Sequence, residues 1–249
     1  RDRDVTGVQT CALPIYQMIK YNELYFRYRK KNPQILNGIT FNINQGDVHG
    51  VLGHNGAGKT TLLRLTSGII YPTKGEILID NKVPEQFKRY MAYMPESNGI
   101  YDKLTALQNL KFRASLSNTN KKEINQKSEE FLVLLGLIDR RNDLVGIWSN
   151  GMKKRLALAC ALVGSPKLLL LDEPTSGIDP ESLEVLISII KHTQRLGATM
   201  MISSHNLDFI NEIGNSISII EKGTLVYNDQ IDTNKCKVKD IYFNQLNKF

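Results

Sequence analysis

The sequence predicts an α/β fold: a core built on a parallel sheet, an N-terminal antiparallel β subdomain ahead of it, and a helical subdomain inserted within it. Three observations carry this expectation. The run GDVHGVLG, Gly46 to Gly53, has the apolar, β-branched character of a short buried strand and leads through a glycine-rich turn into the helical pattern TTLLRLTSG. KLLLLDE, Lys167 to Glu173, is apolar until its last two residues, as a strand covered on both faces must be. In the second half of the chain strands alternate with helices, the order that produces parallel pairing.

Taken in order, polar and apolar residues alternate over Ile19–Tyr28 and Ile35–Ile43, which predicts half-buried antiparallel strands. GEILID (Gly75 to Asp80) and RYMAYMP (Arg89 to Pro95) read as further strands, so the first third is rich in β-structure. Thr105 to about Leu137 has helical periodicity and few glycines, with two helices split near Ser117 to Asn120. The inserted helical subdomain is placed at about 97–150. A helix from about Met152 to Val163 follows, then the strand KLLLLDE, a helix from Pro180 to about Leu196, and the strand ATMMISS. A short helix from about Asn206 and two short strands around Ser216 to Tyr227 complete the core. The tail, 232–249, is polar and lysine-rich, with a short terminal helix and no readable role. No repeat of about 20 to 50 residues is visible, so the chain reads as one unit and not a tandem pair.

Composition narrows the class. With 249 residues, 41% hydrophobic and 23% charged, the chain suits one large α/β domain with an inserted lobe. The longest apolar run, Leu156 to Val163, is eight residues, well short of the roughly 18 that a membrane span needs, so no direct membrane span is expected. Cys11, Cys160 and Cys236 have no ligand spacing and form no even framework, which points to reduced thiols in the cytosol. The net charge of +7 comes from Lys and Arg spread along the sequence without aromatic interleaving. No nucleic-acid partner is expected, and a basic surface near anionic headgroups is the weaker inference. The segment VTGVQTCALPI, Val5 to Ile15, resembles the translation of a common sequencing-library adapter. On that resemblance residues 1–17 are an artefactual extension, Met18 is the natural start, and Cys11 and Leu13 pack poorly against the body. A secretory or transit segment does not fit, because Asp2 and Asp4 interrupt the charged start.

Gly53 to Thr61 reads GHNGAGKTT and fits G-x-x-x-x-G-K-T, the phosphate-cradling loop of nucleotide triphosphatases. The predicted core is thus of the P-loop NTPase kind. Gly53, Gly56 and Gly58 let the backbone turn so that amide groups across His54, Asn55, Ala57 and the helix start converge on phosphates. Lys59 reaches those phosphates as a point charge, Thr60 offers its hydroxyl to Mg²⁺, and Thr61 completes the run. Asp172 ends a buried strand where ligands bind in open α/β sheets and would hold Mg²⁺ through a water. Glu173, pointing to the other side of the chain, is placed as general base for the attacking water. The competing reading is a pair of carboxylates capping the next turn. His49, His54 and His192 share no metal-like spacing and read as structural or solvated, His54 still belonging to the phosphate run.

LLLLDEPTSGID resembles the second nucleotide motif and D-loop, with Asp179, of the ATP-binding cassette (ABC) family. WSNGMKKR, Trp148 to Arg155, is similar to its signature sequence, SSH at Ser203 to His205 matches its switch histidine, Tyr28 lies where the family carries an adenine-stacking aromatic, and Glu96 falls at its Q-loop. These matches cover nearly all of 18–228, and the resemblance places the ATPase domain at 18–231. It implies ATP and Mg²⁺ as cofactors. It also implies that His205 bonds the γ-phosphate and orients Glu173, and that Glu96 is an oxygen ligand sensing Mg²⁺. Each match has a plainer competitor: Tyr28 as a strand aromatic, His205 as a hydrogen-bonded structural residue. The signature departs from Leu-Ser-Gly-Gly-Gln in carrying Trp148, Asn150 and Met152, while Ser149 and Gly151 remain. Asn150 suits a positive φ if the family's glycine has one. In the family Ser149, Asn150, Gly151 and Met152 would act in trans, completing the site of a second copy. A homodimer that powers a separate integral membrane permease from the cytoplasmic face of the cell membrane is therefore expected. Export is expected because the acidic Q-loop resembles bacterial exporters. The alternative is a soluble ABC-type ATPase acting on nucleic acid or ribosomes, disfavoured by the lack of a second cassette or long coiled-coil insertion. A small kinase or GTPase is disfavoured by the signature and by SSH.

Overall fold

The computed structural model describes residues 16–116, 121–232 and 236–247. The expectations for Cys11 and Leu13, and for a helix break at 117–120, fall outside these residues. In chain order the elements are β1 (Gln17–Phe26), β2 (Leu36–Asn44), β3 (Val48–Leu52), α1 (Lys59–Thr66), β4 (Lys74–Ile79), α2 (Pro84–Phe87), β5 (Met91–Met94), α3 (Ala106–Ser115), α4 (Lys121–Leu134), α5 (Asn150–Leu162), β6 (Leu168–Asp172), α6 (Pro180–Arg195), β7 (Thr199–Ser204), α7 (Leu207–Ile213), β8 (Ser216–Glu221), β9 (Thr224–Gln230) and α8 (Val238–Leu246). Gln17 already lies in β1, and the Tyr16 hydroxyl donates to Asp80, so the last two residues assigned to the extension take part in the fold.

Strands β2, β1 and β4 form an antiparallel sheet in that order. The main sheet runs β5-β6-β7-β3-β8-β9 and is parallel except for β9, which pairs antiparallel with β8. β5 therefore joins the main sheet beside β6, with Met91 opposite Leu168, although it precedes the helical lobe in sequence. Every residue of β3, β6 and β7 is buried, as their continuous apolar runs required.

The two-residue period of a strand divides the core. Leu169 and Leu171 of β6 pack with the helical side, among Leu110, Leu132, Trp148 and Leu158. Leu168 and Leu170 pack with the antiparallel sheet, among Ile19, Tyr21, Leu36 and Leu62. Each such fully buried leucine stabilises the fold by about 1.5–3 kcal/mol. One cluster thus runs without a break from the sheet into the helical lobe. At the lobe's entry Thr105 caps α3 in a reciprocal pair with Gln108. The tail also docks: Val238 is fully buried, its N–H donates to Asn211 Oδ1 at 3.0 Å, and Ile241 and Tyr242 lie against the core. Among the described residues no helix is long and apolar enough to cross a membrane.

Of the two readings left open for His49, structural or solvated, the structure shows the first. It is buried on β3, with Nδ1 2.8 Å from Ser216 Oγ and Nε2 2.7 Å from Ser218 Oγ, and Ser216 in turn donates to Asp47. Burial pushes its pKa down to about 3, so it stays neutral.

The strand order explains how distant motifs meet. β6, β7 and β3 are neighbours, with Asp172 opposite Ser203 and Ser204 opposite Leu52. Their C-terminal ends therefore deliver the carboxylates, the serines before His205, and the loop after Leu52 to one edge.

Candidate active site

The phosphate loop has the backbone its glycines promised: Gly53, Gly56 and Gly58 have φ of 154°, 84° and 111°. Gly58 forms the N-cap of α1, whose first residue is Lys59. The loop is held from behind by the β8–β9 turn. Gly223 donates its N–H to the Ala57 carbonyl at 3.1 Å, and its own carbonyl accepts from Asn37 N–H at 2.8 Å. At φ 79° and with Ile35 O only 2.2 Å from where a Cβ would sit, no other residue fits at 223 without a shift. His54 Nε2 lies 3.5 Å from Glu221 Oε1 in the same turn.

The Lys59 side chain is buried, and its ammonium donates to Gly53 O at 2.8 Å and His54 O at 3.2 Å. It also lies 3.4 Å from Glu173 Oε1. Thr60 Oγ1 donates to Asp172 Oδ1 at 3.0 Å. The same oxygen accepts from Ser203 Oγ at 2.6 Å, and Asp172 Oδ2 accepts from the Tyr93 hydroxyl at 3.2 Å. Burial and then the Asp172 charge push the Tyr93 phenol up to about 12, so it remains a donor.

Glu173 departs from the strand with φ 47°, a left-handed backbone that costs a non-glycine residue about 1 kcal/mol or more. Its N–H is gripped by Ser203, with Oγ at 3.0 Å and O at 3.2 Å. The turn sends its side chain away from Asp172, and Oε2 pairs with His205 Nδ1 at 2.8 Å. Oε1 is buried and has no hydrogen-bond partner, an arrangement that suits a proton acceptor waiting for its substrate.

One cleft of about 570 Å³ has Tyr28, Glu96, Glu173 and His205 around Asn55, Gly56 and Gly58 to Thr61. Tyr28 is half-exposed, its hydroxyl 3.4 Å from Thr61 Oγ1 and its ring edge-on to Phe26. The Thr60 hydroxyl and Asp172 carboxylate, with Glu96 lining the same cleft, supply only hard oxygen donors, the set that Mg²⁺ takes.

None of Trp148 to Met152 is among the residues lining this cleft. Ser149 is the N-cap of α5 and accepts from Met152 N–H at 3.3 Å, which leaves its hydroxyl proton free. Asn150 is the first residue of α5 and lies outside the left-handed region, so the condition under which Asn would suit a positive φ does not arise here. Its use is a different one. Asn150 Nδ2 donates to Gly177 O at 2.9 Å and Ser176 O at 3.3 Å, tying the signature to the D-loop of the same chain. Gly151 is fixed by close approach, since a Cβ there would lie 2.4 Å from Asp179 Oδ2 and 2.5 Å from Ser182 Oγ. Asp179 itself caps α6, and hydrogen bonds from the Ser182 backbone and hydroxyl hold its carboxyl below the usual range. Met152, where the family pattern has Gln, packs against the core.

Sequence reading missed three members. Ser203 stands inside the SSH string and Tyr93 inside a strand; the sheet register sets Ser203 opposite Asp172, and the Tyr93 hydroxyl reaches Asp172 from the neighbouring strand, where its own register partner is Leu170. Lys154, within WSNGMKKR, is buried and donates to Glu96 O at 2.8 Å and Glu173 O at 3.2 Å. Burial pushes its pKa down, opposed by Glu96, Asp172 and Glu173.

The sequence profile described as ABC transporter matches residues 36–176, more than half of the chain. The chain is 32% identical over 213 residues to the ABC transporter ATP-binding protein NatA of Bacillus subtilis, covering 84% of this chain and 87% of that protein. It is 31% identical over 220 residues to the methionine import ATP-binding protein MetN 1 of Staphylococcus aureus, covering 84% of this chain and 64% of that protein. In fold it is similar to a dimeric ATP-binding cassette in a post-hydrolysis state bound to ADP and Pi, with a TM-score of 0.78 at 22% identity, over 86% of this chain and 99% of that one. With phosphate loop, paired carboxylates and histidine assembled at one sheet edge, the chain belongs to the ABC transporter family, as one of its ATP-binding ATPase domains.

Proposed function

We propose that two copies of this chain clamp ATP between the phosphate loop of one and the signature of the other, and that hydrolysis releases them to drive a separate membrane permease. One observation carries this reading. The cleft holds the lysine, the Glu173 oxygen that faces it without a hydrogen bond, and His205, whereas the signature residues lie outside it with their backbone ends presented by a helix start.

The assigned residues act in sequence. Lys59 exchanges the Gly53 and His54 carbonyls for the β- and γ-phosphate oxygens, which also frees Glu173 Oε1. Glu173 then accepts a proton from the water attacking the γ-phosphorus as the bond to the ADP oxygen breaks. His205, held at 2.8 Å by Glu173, orients that carboxylate and donates toward the γ-phosphate. Tyr28 stacks on the base, worth about 1–3 kcal/mol. Thr60, Asp172 through a water, and Glu96 would hold Mg²⁺, which when bound neutralises charge on the phosphates. Ser149 and the backbone at Gly151 donate to the partner's γ-phosphate, while Asn150 and Asp179 set their position.

The ATPase domain is assigned to 18–231, with Gln17 in its first strand, Tyr16 bonded to Asp80 and the tail docking from Val238; the helical subdomain is about 97–150, and the assembly sits at the cytoplasmic face of the cell membrane. Export is the first reading of direction, supported by the acidic Glu96. Import is the second, supported by the relative named for methionine import.

Mixing tests the clamp. Lys59→Ala and Ser149→Ala chains are each inactive alone. Together they restore hydrolysis, because a mixed dimer contains one site with both residues intact. No recovery in the mixture would place signature and phosphate loop in the same chain's site and overturn the reading. Nucleotide-driven transport in inside-out against right-side-out vesicles carrying the permease separates export from import.

A further inference from the structure

We propose that Lys154 is a positioning residue for hydrolysis in its own chain: its ammonium ties the start of α5 to the Glu96 backbone and to the carbonyl of Glu173. This goes beyond the trans role of the signature and rests on the reading of Glu173 as base.

The geometry is specific. Lys154 is 3% exposed, and its ammonium reaches the backbone of two residues that line the cleft, Glu96 and Glu173. Its Nζ donates to Glu96 O at 2.8 Å and to Glu173 O at 3.2 Å, so one ammonium bridges residues 77 positions apart (173 − 96). The negative charges of Glu96, Asp172 and Glu173 favour its charged form against the effect of burial. Burying an ammonium is unfavourable unless hydrogen bonds and opposite charge offset it, and here both are supplied by the residues that would do chemistry.

Glu173 shows what the tether does. Its left-handed backbone, φ 47°, is held at the N–H by Ser203 and at the carbonyl by Lys154. Two grips on either side of one strained residue fix where its carboxylate points. The next lysine along, Lys153, pairs with Asp102 Oδ1 at 3.0 Å, so α5 also holds the segment that follows Glu96. A shift of that segment is therefore passed through Lys154 to the Glu173 backbone.

The test uses the full chain and compares kcat with KM. Lys154→Met removes the donors and keeps the apolar stem. We expect kcat to fall about 10- to 100-fold, as for a misplaced base, with KM for ATP within about 2-fold and thermal unfolding little changed. Lys154→Gln, which keeps an N–H donor, recovers kcat to within about 5-fold of the native value. Should Lys154→Met fail to fold, Lys154→Arg gives the same comparison: the charge stays, the single-point bridge is lost, and kcat falls while KM holds. A native kcat in Lys154→Met, or a parallel loss of kcat, nucleotide affinity and stability in all three variants, overturns the proposal. Glu173→Gln run alongside keeps the two readings apart. If it hydrolyses ATP normally, the base assignment fails; if it is inactive while Lys154→Met is native-like, only the positioning role fails.

Discussion

At the end of β6, Lys59 and Glu173 face each other 3.4 Å apart, and Glu173 Oε1 has no hydrogen-bond partner. At the start of α5, Ser149 caps its own helix, Asn150 is bonded to Ser176 and Gly177, and Gly151 is pressed against Asp179 and Ser182. The first region keeps reactive groups in reserve for a ligand within its own cleft. The second spends its side chains on rigidity and leaves a shaped backbone surface. Chemistry is prepared in one and presentation in the other, which is the division expected if each serves a different subunit.

That contrast can be broken most sharply at Glu173. Glu173→Gln should lower turnover by about 10²- to 10⁴-fold while nucleotide affinity stays within a few-fold, read by phosphate release against equilibrium binding. An unchanged rate would remove the base from the first region. Folding has to be separated from chemistry before pH profiles are compared between the regions, and His49 provides the means. Its folded pKa of about 3 lies below the ordinary value near 6.5. Its contribution is therefore complete above about pH 6.5 and lost as the pH falls toward about 3, reaching a loss of about 3 kcal/mol at pH 4. Denaturant melts across this range should show the slope, and His49→Asn should flatten it. Lys59→Ala removes charge-assisted contacts worth about 1.5–3 kcal/mol, so ATP affinity should fall at least about 10-fold in a nucleotide titration. Unchanged affinity would mean that the phosphate loop is misassigned. Gly151→Ala forces a methyl against Asp179 and Ser182 and should destabilise the chain by about 1–3 kcal/mol. Its ATP affinity as a monomer should stay native while turnover drops, and a loss of monomer affinity would merge the two regions into one.

The two regions also differed in how legible they were. The phosphate loop, the strand ending in Asp172 and Glu173, and the helices flanking the lobe follow from local strings, because glycine turns and apolar period act over a few residues. Contacts between segments distant in the chain left no such trace. Ser203 reaches Asp172 from 31 residues away and Lys154 reaches Glu96 from 58, and neither partner is implied by its neighbours in the chain. Asn150 is similar. The sequence raised only the condition under which its backbone would suit a left-handed position, whereas its side-chain amide is used on the D-loop. The tail's short helix was legible but its docking was not, because that rests on one buried anchor, Val238, and one hydrogen bond to Asn211.

The turn at Gly223 links the phosphate loop to the antiparallel sheet, with Ala57 of the loop on one side and Asn37 of β2 on the other. Tyr28 follows the end of β1, which pairs with β2, so the separation of its ring from the loop amides depends on how that turn holds the loop to the antiparallel sheet. If Tyr28 stacks on the base as proposed, loosening that turn would change the span a bound nucleotide has to bridge.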